Sequence, residues 1–223
     1  MRLIKIINDF IKIFVRLRPI KVINYTERTN RFIRSKNQKI EQKFLFKKIK
    51  NYKKKILLDY GSNDCYFSKL FDYNFQYYGV DNNKELLSKK IKIFSKNFIL
   101  LKKKKLPFRQ NFFDVIILSH VIAHIYKPNI LLKKFKKILK KDGIIIIISP
   151  NKYFKFFYFF INLFNEYVPD ETISKHYSIN DVVKLVSKNW RVLEKFSYSV
   201  NEKKISYKII NSRIFLILRK NER

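Results

Sequence analysis

The chain has three histidines, His120, His124 and His176, and imidazole is the side chain best suited to accept a proton near neutral pH. His120 and His124 are four apart, which on a helix puts both on one face, as a general base or as a metal pair. No carboxylate cluster accompanies them, so no metal is expected and proton transfer is the favoured role. A second feature is the run ILLDYGSNDCYFS from Ile56 to Ser68, a buried-strand pattern that enters a tight turn and then a helical pattern. At the carboxyl end of a parallel strand such a turn offers unpaired N–H groups, and Gly61 lets the backbone approach a ligand closely. About 20 residues later, at the spacing where a carboxylate accepts bonds from ribose hydroxyls, the run Tyr77-Tyr-Gly-Val-Asp-Asn82 ends a strand with Asp81. An Asp there can also simply cap the next helix.

Holding these groups in place takes a sheet whose strands end at one edge. From Lys55 onward short apolar runs alternate with helical patterns, the texture of a parallel sheet with crossover helices. Strands are predicted at 55–60, 76–81, 97–101, 112–119 and 143–149, with helices near 64–72, 83–91, 120–126 and 129–141. Residues 153–165 are aromatic and helical in pattern, 178–188 read as a helix opened by Ser178 with Asp181 at its third position, and 190–198 and 212–219 read as closing strands. Before the sheet, residues 3–17 form an amphipathic pattern with Lys5, Asn8, Asp9, Lys12 and Arg16 on one stripe, suited to packing on the domain or to resting on anionic lipid. Pro19 ends that pattern, and 20–54 form a polar, basic lead-in with a helical patch near Ile40 to Ile49 that could cover a ligand. The expected organisation is a helical basic extension over 1–52 and one α/β domain over 53–223, with a helical insertion at about 151–177 on the substrate side.

Three of these segments together resemble the class I S-adenosylmethionine-dependent methyltransferases, in particular their type 11 subgroup. Asp59 and Gly61 stand at the first two places of the family's acidic-x-Gly-x-Gly-x-Gly turn, where Asn63 and Cys65 replace the later glycines. Asn tolerates a left-handed backbone, whereas Cys65 is expected to add bulk near the methionine part of the donor. Asp81 falls at the ribose-binding place. The stretch Leu106-Pro-Phe-Arg-Gln-Asn-Phe-Phe-Asp-Val-Ile-Ile-Leu-Ser-His120, then Val-Ile-Ala-His124 and Pro128, is similar to the subgroup's Leu-Pro-Phe, Phe-Asp, strand, His and Glu-His-hydrophobic pattern, with Ala123 in the Glu place. The acid that usually precedes Leu-Pro-Phe is absent: Leu101 is followed by four lysines. Gly143 matches the family's turn before its fifth strand, and His176 its His before a late helix.

The resemblance implies a Rossmann-like, doubly wound, mostly parallel sheet of the seven-strand methyltransferase type, with an antiparallel last strand and a helical N-terminal extension. It implies S-adenosyl-L-methionine as methyl donor, lined by Asp59, Tyr60, Gly61, Ser62, Asn63, Asp81, Asn82, Leu101, Ser119 and His120. It places His120, His124 and His176 near the acceptor, as candidates to take its proton. The acceptor atom would be O or N, with carbon the lesser option, on a small molecule, lipid or glycan. The crowded aromatics Tyr153, Phe154, Phe156, Phe157, Tyr158, Phe159 and Phe160 would roof the acceptor pocket. Two rival readings stay open: an RNA methyltransferase, and a non-catalytic binding module with a degenerate donor turn.

With 223 residues, 47% of them hydrophobic, the chain is long enough for a full core and is no disordered basic tail. A formal charge of +33 would ordinarily suggest nucleic acid. Yet Lys, Asn, Ile, Phe and Tyr abound while Gly numbers three and Ala123 is the sole alanine, a composition that scatters lysines over solvated faces instead of building an Arg-rich stacking site. Nucleic acid is therefore not the expected partner, and oligomeric state is left open. A lone Cys65 excludes an intramolecular disulfide and fits a reducing compartment. Asp9, Lys12 and Arg16 interrupt the first apolar stretch, so no export signal is expected and a cytoplasmic location, compatible with peripheral membrane contact, is the default.

Overall fold

The computed structural model describes residues 36–50, 55–71, 74–87, 93, 95–102, 106–153, 173–200, 205–206 and 211–221. The expected amphipathic helix at 3–17 and the aromatic run after Tyr153 lie outside the described residues. The chain runs α1 (Lys36–Ile49), β1 (Lys55–Tyr60), α2 (Ser68–Phe71), β2 (Phe75–Asp81), β3 (Phe98–Leu100), β4 (Phe113–Ser119), α3 (Pro128–Ile138), β5 (Leu139–Pro150), α4 (Ile179–Val186), β6 (Trp190–Val200), β7 (Ile205–Ser206) and β8 (Arg213–Lys220).

The strands lie in the order β3-β2-β1-β4-β5-β8-β6-β7. The first five pair in parallel. β8 inserts antiparallel to both β5 and β6, as expected for the last strand. The two-residue β7 adds a short edge beyond the expected seven. Because β1 is central and the order reverses at β1 and β4, the loops after these two strands open a crevice at the carboxyl edge, where open α/β sheets bind ligands.

Successive residues of the central strands feed opposite faces, which is why the run Ile144–Ile148 needs no polar residue. Ile145 and Ile147 join Leu58, Ile116 and Leu118 on the face covered by Leu132 and Phe135 of α3 and by Val182 and Val186 of α4. Ile144, Ile146 and Ile148 join Leu57, Val115 and Ile117 on the other face, covered by Leu45 and Ile49 of α1 and Phe71 of α2. The helical part of the basic lead-in is thus built into the core, with Leu45 and Ile49 fully buried.

Several helices are shorter than the sequence pattern suggests. The expected helix at 64–72 is a series of turns closing on the four-residue α2, since Cys65 N–H donates to Ser62 and Ser68 N–H to Cys65. Only Lys84–Leu87 of the expected helix at 83–91 is regular, as a 3-10 turn. The expected helix at 120–126 is the 3-10 turn Ile122–His124. The helix predicted to end at 141 stops at Ile138, and β5 starts at once, with Leu139 pairing Phe113 and the register slipping before Ile144 meets Val115. Gly143 therefore sits inside β5, where a Cβ would stand 2.7 Å from Leu139 Cγ, and not at the helix end. α4 begins as expected: Ser178 Oγ accepts from Asp181 N–H, and the Asp181 carboxylate accepts from Ser178 N–H.

Candidate functional site at the carboxyl edge

The turn after β1 is held open by backbone conformations that L-residues seldom adopt. Gly61, Asn63 and Cys65 have φ of 74°, 51° and 59°, and such strain persists where the surroundings enforce it, as at binding sites. Gly61 is fixed on two counts, because a Cβ there would lie 2.4 Å from Val121 Cγ2. The turn after β1 thereby packs directly on the loop after β4. Gly61 N–H and Ser62 N–H both donate to Val80 O, at 2.8 and 3.0 Å. Asp81 ties the two strand ends together: its carboxylate accepts from Asn63 N–H and from Asn83 N–H, each at 2.9 Å. Asp81 thus closes a two-residue turn onto Asn83, ahead of the 3-10 turn Lys84–Leu87, while each oxygen keeps a lone pair for a ligand.

Cys65 does not crowd this turn. It is fully buried, its Sγ lies 3.3 Å from Ser62 Oγ, and it occupies the space left by Gly79, where a Cβ would be 2.2 Å from that sulfur. Burial pushes its thiol up to about 12, so it is no nucleophile at neutral pH. The sequence expectation of bulk at the donor is corrected here: the side chain points into the core, and Gly79, not the third motif place, makes the room. Ser62 is also buried and turned toward Cys65.

Asp59, at the end of β1, is 2% exposed and accepts a hydrogen bond from Tyr77 Oη at 2.6 Å. Burial raises its carboxyl, the Tyr77 bond opposes this, and the charges of Asp81 and Asp64 add to the rise, to about 7. The Tyr60 phenol is also raised, by burial and by the Asp81 charge. Its ring meets that of Phe135 edge-on at 5.2 Å. Leu101 donates its N–H to Asp81 O at 2.7 Å, which keeps the end of β3 beside the end of β2. Asn82 is exposed next to Asp81, and Ser119 ends β4, half-buried.

His120 follows Ser119 with φ of 59°, its N–H donating to Ile148 O at 2.8 Å. Since His120 precedes the 3-10 turn that contains His124, the two rings do not share one helical face, and the geometry that suggested a pair is not realised. Ala123 O accepts from Ser174 N–H and Lys175 N–H at 2.8 and 3.1 Å, which clips the segment carrying His176 onto the loop carrying His124. Tyr177 O accepts from Lys152 N–H at 2.9 Å, joining the same segment to the end of β5.

His120 Nε2 lies 3.1 Å from Glu41 Oε1. Glu41 belongs to α1 and is 4% exposed. Tyr198 Oη donates to the same oxygen at 2.8 Å, and Arg213 Nε stands 2.7 Å from Oε2 as a charge contact. Burial alone would raise this carboxyl, but the charges of His120 and Arg213 and the bonds from His120 and Tyr198 bring it down to about 2. Nothing in the sequence marks Glu41, Tyr198 or Arg213. They converge from α1, β6 and β8, and only the cross-strand pairing of Tyr198 with Arg213 brings the last two side by side.

The chain from residue 25 to 207 matches a family model described as a methyltransferase domain. No curated protein matches the chain in sequence. Among solved structures, a protein assigned as a type 11 methyltransferase from Sulfolobus solfataricus superposes with a TM-score of 0.58 at 22% identity, over 82% of this chain and 93% of that one. The PH0226 protein from Pyrococcus horikoshii OT3 does so with a TM-score of 0.60 at 19% identity, over 93% and 98%. An S-adenosylmethionine-dependent methyltransferase from Aquifex aeolicus gives 0.56 at 19%, over 80% and 89%. The family match spans most of the chain, so the chain belongs to the methyltransferase-domain family.

Proposed function

We propose that this chain transfers a methyl group from S-adenosyl-L-methionine to an oxygen or nitrogen of a small-molecule, lipid or glycan acceptor. The observation that carries this reading is the acid-lined turn at the ends of β1 and β2, packed through Gly61 and Val121 against the loop of His120. In a chain of formal charge +33, Asp59, Asp64 and Asp81 stand close enough that the last two raise the first. That is a local negative field suited to a ligand carrying an ammonium and a sulfonium. Cys65 is withdrawn into the core and the acids stand together beside the turn, so the residues present fit the donor. Asp81, beside Asn82, would take the ribose, and the turn Asp59–Asn63 the methionine part.

Bound S-adenosylmethionine supplies an electrophilic methyl group on sulfur. The chain's own task is to hold the acceptor in line and remove its proton. His120, with its side chain 38% exposed at the crevice, is the group placed to do so. Tyr126 and Tyr153, 83% and 58% exposed, follow the ends of the neighbouring strands β4 and β5 and offer apolar contact to a lipid or glycan. Among the described residues no helix is long and apolar enough to cross a membrane, so any lipid acceptor would be met at a surface.

Calorimetric titration with S-adenosylmethionine and S-adenosylhomocysteine, on the wild type and on Asp81→Ala, tests the reading. Micromolar binding of both by the wild type, weakened at least tenfold in the variant, is the expected result. A folded wild type that binds neither would overturn it and leave a non-catalytic relative of the family.

A further inference from the structure

The Glu41 carboxylate meets Tyr198 Oη and His120 Nε2 with one oxygen and, as a charge contact, the Arg213 guanidinium with the other. An ionised carboxylate only accepts hydrogen bonds, so the imidazole nitrogen facing it must carry the proton. With Nε2 protonated, Nδ1 holds the lone pair, and no described residue is bonded to it. The ring is also held from behind, since the backbone of His120 is pinned in the left-handed region by its bond to Ile148. Glu41 is itself fixed, because α1 is anchored in the core by Leu45 and Ile49.

We propose that Glu41 is a positioning residue that fixes His120 as the Nε2–H tautomer, so that Nδ1 accepts the proton of the methyl acceptor. The inference rests on the reading of His120 as the proton acceptor. In the step, the acceptor's lone pair forms the bond to the methyl carbon, the carbon–sulfur bond breaks with its electron pair left on sulfur, and the O–H or N–H proton passes to Nδ1. The imidazolium so formed faces a carboxylate, which stabilises it as the charge appears. The lead-in helix α1 thus belongs to the catalytic apparatus, since the only carboxylate bonded to His120 among the described residues is the one it carries.

The test uses the full chain labelled with nitrogen-15 in its histidine rings, read by long-range proton–nitrogen spectra at pH 8, with His120→Gln assigning the signal among three rings. In the wild type, His120 is expected with Nε2 in the protonated range and Nδ1 in the unprotonated range. In Glu41→Gln the tautomer is expected to invert. The Arg213 guanidinium charge faces the far side of the group, so the electron-rich Gln oxygen turns toward it and the amide NH2 faces His120, whose Nε2 must then accept. The signals of His124 and His176, and the affinity for S-adenosylmethionine, are expected to stay within about twofold of the wild type, a change under RT in binding free energy. A wild type in the Nδ1–H form, or a folded Glu41→Gln with the wild-type tautomer, overturns the inference. If Glu41→Gln does not fold, the wild-type spectrum alone decides. Loss of donor binding in the wild type would instead strike the functional reading, so the two failures are distinguishable.

Discussion

The crevice has two sides, the proposed donor side at the ends of β1 and β2 and the proposed acceptor side around His120, and they are built in opposite ways. The donor side is local: Asp59, Gly61, Asn63, Asp81 and Asn83 come from one stretch running from β1 to just past β2, and its Asn63–Asp81 and Tyr77–Asp59 hydrogen bonds each span 18 residues. The acceptor side is assembled from afar: His120 meets Glu41 across 79 residues, and Tyr198 meets it across 157. The donor side leaves a buried acid that is hard to ionise, raised to about 7, whereas the acceptor side holds a buried acid that ionises readily, lowered to about 2. The difference lies in partners. Asp59 has one neutral phenol donor and two acidic neighbours, while Glu41 has a guanidinium, an imidazole and a phenol. Under the proposed roles, the side meant for a cationic ligand leaves its charge unmatched, and the side meant to orient a base supplies its own counter-charges.

The sharpest way to break this comparison is to neutralise the two acids in turn, where opposite signs are expected. Asp59 binds its proton more tightly folded than unfolded, so its effect on stability is absent below its unfolded value of 3.8 and becomes a growing penalty as pH rises through about 7. Asp59→Asn is therefore expected to stabilise the ligand-free protein at pH 8 by up to about 4 kcal/mol and by little at pH 4, read by urea unfolding at both. The same change is expected to weaken donor binding. Glu41 runs the other way: its folded value lies below its ordinary 4.5, so its contribution is present above that value and is lost as pH falls through about 2. Glu41→Ala strands Arg213 and is expected to cost about 3 kcal/mol at pH 7, at the low end for a broken buried pair because the partners are partly exposed. Equal signs for the two acids would end the contrast.

A smaller effect bears on how the donor side tolerates its missing glycines. Gly79→Ala drives a methyl toward the Cys65 sulfur and is expected to cost about 2 kcal/mol, as overpacking does. Cys65→Ala in the same chain should restore part of it, because the two residues share one space while Ser62 Oγ, 2.9 Å from the added methyl, stays in place. Additive losses in a thermal or urea comparison of the single and double variants would show that they do not.

These contrasts explain what could be read from the sequence. The sheet was legible because Leu57 and Leu58, or Ile144 to Ile148, are apolar on consecutive positions, which only a strand covered on both faces permits. The turn at Gly61 and the acid at Asp81 were legible because a local unit needs fixed spacing. The shortened helices were not, since the periodicity at 64–72 comes from Phe67, Phe71 and Cys65 filling the core beneath a series of turns, and burial alone mimics a helix there. Glu41 was illegible for a further reason. An acid on a basic helix reads as a solvated surface charge, and only the folded positions of His120, Tyr198 and Arg213 show that it is inside.

The smallest expected effect tests whether the acceptor side has any local element as self-sufficient as those of the donor side. The Ser178 and Asp181 capping box opens α4 directly after the segment bearing His176, and it was readable from four consecutive residues. Its energy is local too: Ser178→Ala removes the hydroxyl that accepts from Asp181 N–H and is expected to cost about 1 kcal/mol. The lowered carboxyl of Asp181, which burial opposes and the two Ser178 bonds and the Lys152 and Lys175 charges favour, should move back toward its ordinary value in that variant. Because Tyr177 bonds to the Lys152 backbone and not through the cap, donor affinity should be untouched. A stability loss of about 1 kcal/mol with unchanged calorimetric binding would mark the cap as a scaffold feature. A coupled loss of binding would mean that the His176 segment reaches the donor, so that the two sides of the crevice are less separate than their construction suggests.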